Sequence, residues 1–107
     1  MAETPCILGQ QIPDAGVMTT LFFVPTASQV QCSIFVSNQY DNFENVTIAL
    51  VPNGTGLATP NYIAFNTPLS ANACIAFAGV FLNEGDQVMV TSKGGHCSFT
   101  ATGMLMA

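Results

Sequence analysis

The chain has 107 residues, half of them hydrophobic, with only 7% Asp, Glu, Lys and Arg and a formal net charge of −5. Lys93 is its one basic side chain, which argues against nucleic acid and against direct contact with an anionic membrane, since both draw on several Lys or Arg. The length suits one domain that hides roughly 60–70% of its unfolded surface, and a charge content far below the usual ~25% leaves a skin of Ser, Thr, Asn, Gln and apolar atoms, which points to a protein that assembles.

The opening MAETPCILGQ lacks a basic start and a long apolar segment, so it implies no export and synthesis in a cytoplasm. The longest apolar run, residues 73–82, is far short of the roughly 18–20 residues that span a bilayer. We read residues 1–16 as an extended N-terminal arm able to carry an edge strand, because Pro5 and Pro13 bracket the apolar Cys6-Ile7-Leu8. Residues 17–107 form a single β-sandwich domain in this reading.

A turn at Asp14-Ala15-Gly16 leads to the β-rich VMTTLFFV, which Pro25 stops. Residues 29–37 alternate most cleanly: Val30, Cys32, Ile34 and Val36 line one face, with Gln31, Ser33, Phe35 and Ser37 on the other. A polar turn around Tyr40 precedes a strand over 44–52 with Val46, Ile48 and Leu50 inward. Asn53-Gly54-Thr55-Gly56 opens a loop running to Pro60, and NYIAFN reads as a short strand ending before Pro68.

Residues 71–92 form the best-defined stretch and read as a β-hairpin around Asn83-Glu84-Gly85-Asp86. Period-two spacing puts Ile75, Phe77 and Phe81 on one face of the first strand, and Val88 and Val90 on one face of the second. After Lys93-Gly94-Gly95 a last strand carries Cys97, Phe99 and Ala101 on one side. No window keeps a helical period, so the expected class is all-β: an antiparallel β-sandwich of about eight short strands, immunoglobulin-like or jelly-roll-like.

Chemistry is thinly represented. Cys6, Cys32, Cys74 and Cys97 are widely spaced in apolar segments and read as buried, reduced thiols, although a pair could close in an oxidising medium. His96-Cys97 lacks the paired ligand spacing of a zinc site, so neither metal nor cofactor is expected. His96 is the one candidate base; its neighbour Cys97 points to the opposite face, and a cross-strand pairing with Cys74 competes with simple packing. The acid pairs Asp41/Glu44 and Glu84/Asp86 read as solvated turn residues. No catalytic residue is assigned.

From residue 46 to 103 the order of motifs is distinctive: IALVP, a Gly-rich loop, NYI, TPLSAN, LNEGD, VMVTS and Ser98-Phe99, with LFFVP upstream. This order resembles small β-sandwich virion accessory proteins of tailed bacteriophages, namely capsid decoration (cement) proteins and related head or tail domains. The four cysteines and the Met104-Leu105-Met106 end depart from the pattern. The resemblance implies a β-sandwich without catalytic residues, installed on a virion, and leaves head and tail both open. Low charge, the extended N-terminal arm and the apolar tip around Leu105 and Met106 make the leading expectation a capsid decoration protein, made in the host cytoplasm and placed on the outer surface of the capsid. Its partner would be the major capsid protein of the head, bound by a homo-oligomer, dimer or trimer, at a local symmetry axis. Ile7, Leu8, Ile12, Tyr40, Phe43, Leu105 and Met106 are the expected lattice or oligomer contacts. The alternative is a tail or fibre accessory domain that recognises host-surface glycan through residues 40–43 and 53–60.

Overall fold

A computed structural model describes residues 3–106. Eight strands follow one another: β1 (Glu3–Gln11), β2 (Thr19–Phe23), β3 (Gln29–Asn38), β4 (Glu44–Val51), β5 (Tyr62–Leu69), β6 (Cys74–Leu82), β7 (Gln87–Ser92) and β8 (Cys97–Met106), with one 3₁₀ turn at Thr59–Asn61. They form two four-stranded antiparallel sheets, β1-β8-β3-β6 and β2-β7-β4-β5. Among the described residues no helix is long and apolar enough to cross a membrane.

The pairing follows a simple rule. β1 pairs with β8, β2 with β7, β3 with β6 and β4 with β5, as if one long hairpin with its tip at β4–β5 had been rolled up. Contacts of β3 with β8 and of β4 with β7 then complete the two sheets. This is jelly-roll connectivity, two Greek keys in two sheets, and it resolves the choice left open by strand periodicity. Only β4–β5 is a connection within one sheet; the others cross between sheets. The β1–β2, β3–β4, β5–β6 and β7–β8 connections therefore gather at one end, here the upper end, and the remaining three gather at the lower end.

The expected hairpin over residues 71–92 is not one. β6 lies in one sheet beside β3, and β7 lies in the other between β2 and β4. The turn chemistry is as expected: Gly85 has φ +81°, and the Asp86 N–H donates to the Asn83 carbonyl at 3.1 Å. Such a turn permits a bend within a sheet or between sheets, and the bonds of its neighbours decide. Here Val24 donates to the Asp86 carbonyl at 2.9 Å and accepts from the Gly85 N–H at 3.1 Å, joining the turn to the end of β2.

The period-two reading of β6 also breaks at one residue. Register slips between the Cys32–Val80 and Ile34–Phe77 pairs, and Gly79 sits there at φ +74°, the left-handed geometry that glycine supplies to a β-bulge. The extra residue reverses the alternation. Ile75 and Phe77 pack on the core, Val80 and Leu82 are buried, and Phe81 points outward at 69% exposure. The core is otherwise the alternating faces the sequence shows: Val30, Cys32, Ile34 and Val36 from β3, Val46 and Ile48 from β4, Val88 and Val90 from β7, and Cys97, Phe99 and Ala101 from β8. Burying such side chains contributes about 1.5–3 kcal/mol each for the larger ones.

Prolines mark the edges. Pro5 lies within β1 and Pro68 within β5, which continues past Pro68 to Leu69. Both strands are sheet edges, where a missing N–H breaks no ladder. Glu3–Gln11 is thus paired with β8 along its length, with a bulge at Leu8 between the Ile7–Thr102 and Gly9–Ala101 pairs.

Candidate functional site

Two places could carry function: a polar cluster at the upper end and an apolar gap along one side. The cluster is built around Glu44, the first residue of β4, whose side chain is 4% exposed. A buried carboxylate needs donors in place of water, and the β7–β8 connection supplies them. The Gly94 N–H donates to Oε1, and the His96 N–H donates to Oε2 at 2.9 Å. His96 Nδ1 lies 3.1 Å from the same Oε2. A Cβ at Gly94 would collide with Glu44 Oε1, so the close approach requires glycine. Glu44 therefore departs from the expected solvated turn acid, because it begins a strand whose first side chain turns under the neighbouring loop.

The His96 ring stacks on Tyr40 with centroids 4.1 Å apart and planes 9° from parallel. Tyr40, Phe43, Glu44, Asn45, Lys93 and His96 line an open cleft of ≈ 340 Å³ there. Phe43 is 63% exposed at its mouth. Below, the wholly buried Cys97 thiol lies 3.8 Å from Glu44 Oε2, and burial, followed by the Glu44 charge, pushes its pKa up to about 11. A neutral, inaccessible thiol is a poor nucleophile. The carboxylate-held imidazole thus forms one face of an aromatic stack, above a thiol that is buried and neutral. Among the described residues no three His, Cys, Asp or Glu side chains cluster as metal ligands.

Asn38, at the end of β3 and 1% exposed, fixes the same end of the molecule. Its Nδ2 donates to the carbonyls of Asn42, Leu69 and Ser70 at 3.0–3.2 Å, and its Oδ1 accepts from the Tyr40 N–H at 3.0 Å. One side chain thereby ties the β3–β4 loop to the β5–β6 connection. The lower end has its own tie: Asp86 accepts from the N–H groups of Asn53 at 2.8 Å and Asn83 at 2.9 Å, while Glu84 accepts from Ala27 at 3.0 Å.

The expected contact residues do not converge. Ile7 (63% exposed) is on the outer face of its sheet, opposite Thr102, whereas Leu8 packs against the core at the bulge. Ile12, Tyr40 and Phe43 are exposed at the upper end. Met106 lies at the lower end, and Leu105 packs partly on the core. Residues 40–43 and 53–60 also lie at opposite ends, so they cannot edge one glycan site. The cysteines divide too: Cys32 and Cys97 are buried, Cys6 is partly buried, and Cys74 is exposed, a correction to four buried thiols. Cys74 sits opposite Ser37 on the outward register of β6, where the alternation turns it to solvent.

The apolar gap was not visible in the sequence. Between β5 and β6, the free edges of the two sheets, runs a groove of ≈ 640 Å³ lined by Leu50, Ile63, Phe77, Val80 and Phe81. Leu50 and Phe77 pack against the core, so the groove is core left uncovered. Ile63 (41%), Phe65 (63%) and Phe81 (69%) stand exposed near it. Neither β5 nor β6 carries a charged residue. Comparison with known proteins found no match among family models, curated proteins or solved structures.

Proposed function

We propose that the chain is a virion structural protein: a capsid decoration protein that binds the assembled lattice of the major capsid protein as a homo-oligomer and stabilises the head. The observation that carries this reading is the placement of charge. Beyond Glu3 and Glu44, each the first residue of its strand, every Asp, Glu and Lys lies in a connection between strands, and none lies on a sheet face. Broad uncharged faces with exposed Ile7, Phe23, Phe35, Phe65 and Phe81 suit burial against other proteins, where apolar area supplies the free energy and charges would have to be stripped of water. The motif order described above supplies the virion setting.

The deciding experiment is co-sedimentation with expanded phage shells that lack the protein. Saturation at a fixed symmetric ratio to the shell protein supports the reading; no association with shells rejects it. A second reading, a tail or fibre domain recognising host-surface glycan, draws on the upper cleft, where exposed Phe43 and the Tyr40–His96 stack adjoin Asn45 and Lys93. Aromatic faces beside amide and charged groups are what a sugar ring needs. Glycan-array binding abolished by Phe43→Ala would favour it.

A further inference from the structure

We propose that the upper cleft is a binding site for a neutral sugar, with Phe43 against the face of the ring and His96 Nε2 accepting from one of its hydroxyls. The inference rests on the second reading above, whose ligand class it names, and is independent of the shell.

The protonation pattern of His96 follows from its surroundings. Glu44 receives the Gly94 N–H at Oε1 and the His96 N–H at Oε2, so both carboxylate oxygens serve as acceptors. His96 Nδ1 lies 3.1 Å from Oε2 and therefore carries the proton between them. In the neutral ring that tautomer leaves Nε2 as a bare acceptor. Nε2 is on the ring edge away from the buried carboxylate, and the His96 side chain is 46% exposed.

Three groups at the cleft have no protein partner among the described residues: His96 Nε2, the Asn45 side-chain amide and the Lys93 ammonium. The first accepts, the last donates, and the amide does both. A hydroxyl is donor and acceptor in one group, so a ring carrying several hydroxyls can answer all three, whereas an apolar ligand would cover them unbonded. Phe43, 63% exposed at the mouth, offers an apolar face for the C–H side of such a ring. The groups are held before any ligand arrives. The Phe43 N–H donates to Asn42 Oδ1 at 2.9 Å, the Lys93 N–H to the Asn45 carbonyl at 3.0 Å, and Tyr40 is stacked on His96. At ≈ 340 Å³ the cleft is near the lower bound of small-ligand sites, ~300–1,000 Å³, which suits one or two rings.

Charge selects neutral sugars over acidic ones. Lys93 is the one Lys or Arg of the chain, and the Glu44 carboxylate beneath the cleft offsets it. Asp14 and Asp41 also lie in upper connections, and the net charge is −5. A uronic or sialic acid would enter a field of its own sign with a single cation to receive it.

The test is titration of the full chain with a panel of methyl hexosides and the matching hexuronates, followed by nitrogen NMR of the imidazole. His96 is the only histidine, so its two ring nitrogens are read without ambiguity. At mildly alkaline pH the free protein should show a protonated Nδ1 and a bare Nε2, and a bound neutral hexoside should shift Nε2. The matching hexuronate should bind at least about 10-fold more weakly. Phe43→Ala should weaken binding by about 10-fold or more, and His96→Phe, which keeps a ring on Tyr40 but removes the acceptor, by about 10-fold. Both side chains are exposed, and an unchanged circular dichroism spectrum checks that each variant folds. A protonated Nε2 in the neutral ring, or binding indifferent to both substitutions, overturns the proposal. Hexuronates that bind as well as hexosides or better overturn the neutral class and spare the glycan reading; a panel in which no sugar binds overturns both.

Discussion

The two sides of this sandwich solve the same problem differently. On one side β1 and β2, the outer strands of the two sheets, press together: a Cβ at Gly9 would collide with the Leu21 carbonyl oxygen and lie 3.2 Å from Phe22 Cβ. On the other side β5 and β6 flank a groove of ≈ 640 Å³. A closed edge needs a residue without a side chain at the point of contact. The open edge instead uses bulges, at Gly79 and around Asn66, and leaves apolar side chains facing solvent. The contrast teaches that a jelly roll can seal its core by backbone approach on one side while the other side stays open along an apolar groove.

The largest effect should come from closing off the sealed side. Gly9→Val forces β1 away from β2, and overpacking of this kind costs about 3 kcal/mol, read as a lower urea midpoint with an unchanged slope. The contrast would fail if Gly9→Val were as mild as a surface change. Two neutral buried thiols between the edges should give the next effect. Burial raises both Cys32 and Cys97 to about 11 from 9.0. A raised folded-state value means that their contribution is complete below pH 9 and is lost as pH rises through 11, by about 2 to 3 kcal/mol for each thiol once fully titrated. Urea midpoints from pH 8 to 11 would show it, and Cys32→Ala should flatten part of the slope.

Asn38→Ala sharpens the comparison from above, because Asn38 ties the upper end of the β5–β6 connection to the β3–β4 loop. Leaving its partner carbonyls of Leu69 and Ser70 with less hydrogen bonding should cost about 2 kcal/mol, and hydrogen exchange should quicken in β5 and β6 before β1 and β2. Gly79→Ala is the smallest of the series. Nothing lies within 4 Å of a Cβ there, so the penalty is the left-handed φ alone, about 1–2 kcal/mol. A Gly79→Ala loss matching that of Gly9→Val would show that conformation, and not collision, governs both glycines.

Thiol labelling separates the same regions kinetically. Cys74 on the open edge should react first with an alkylating reagent, and Cys32 and Cys97 only after unfolding. Equal rates at all four positions would contradict the burial described.

What the sequence determined by itself is the local alternation. Val30-Cys32-Ile34-Val36 and Cys97-Phe99-Ala101 could be assigned to the core because side chains on a strand alternate every second residue, whatever the strand pairs with. Turn residues likewise marked nearly every boundary, including Gly85 and Gly95. What only the tertiary structure decided depends on partners far along the chain. The turn at 83–86 fits a hairpin and an inter-sheet crossing equally well, and β2 and β3 settle the matter by pairing with β7 and β6, whose residues lie 37 to 71 positions away. The bulge at Gly79 turned Phe81 outward through a register that exists only opposite β3. Glu44 and Asn38 looked like turn residues because nothing nearby in sequence shows that a loop from residues 93–96 and a connection from residues 69–73 will close over them. The sealed and open edges belong to the same class: edges arise from the order of strands, and strand order is a property of the folded sheet.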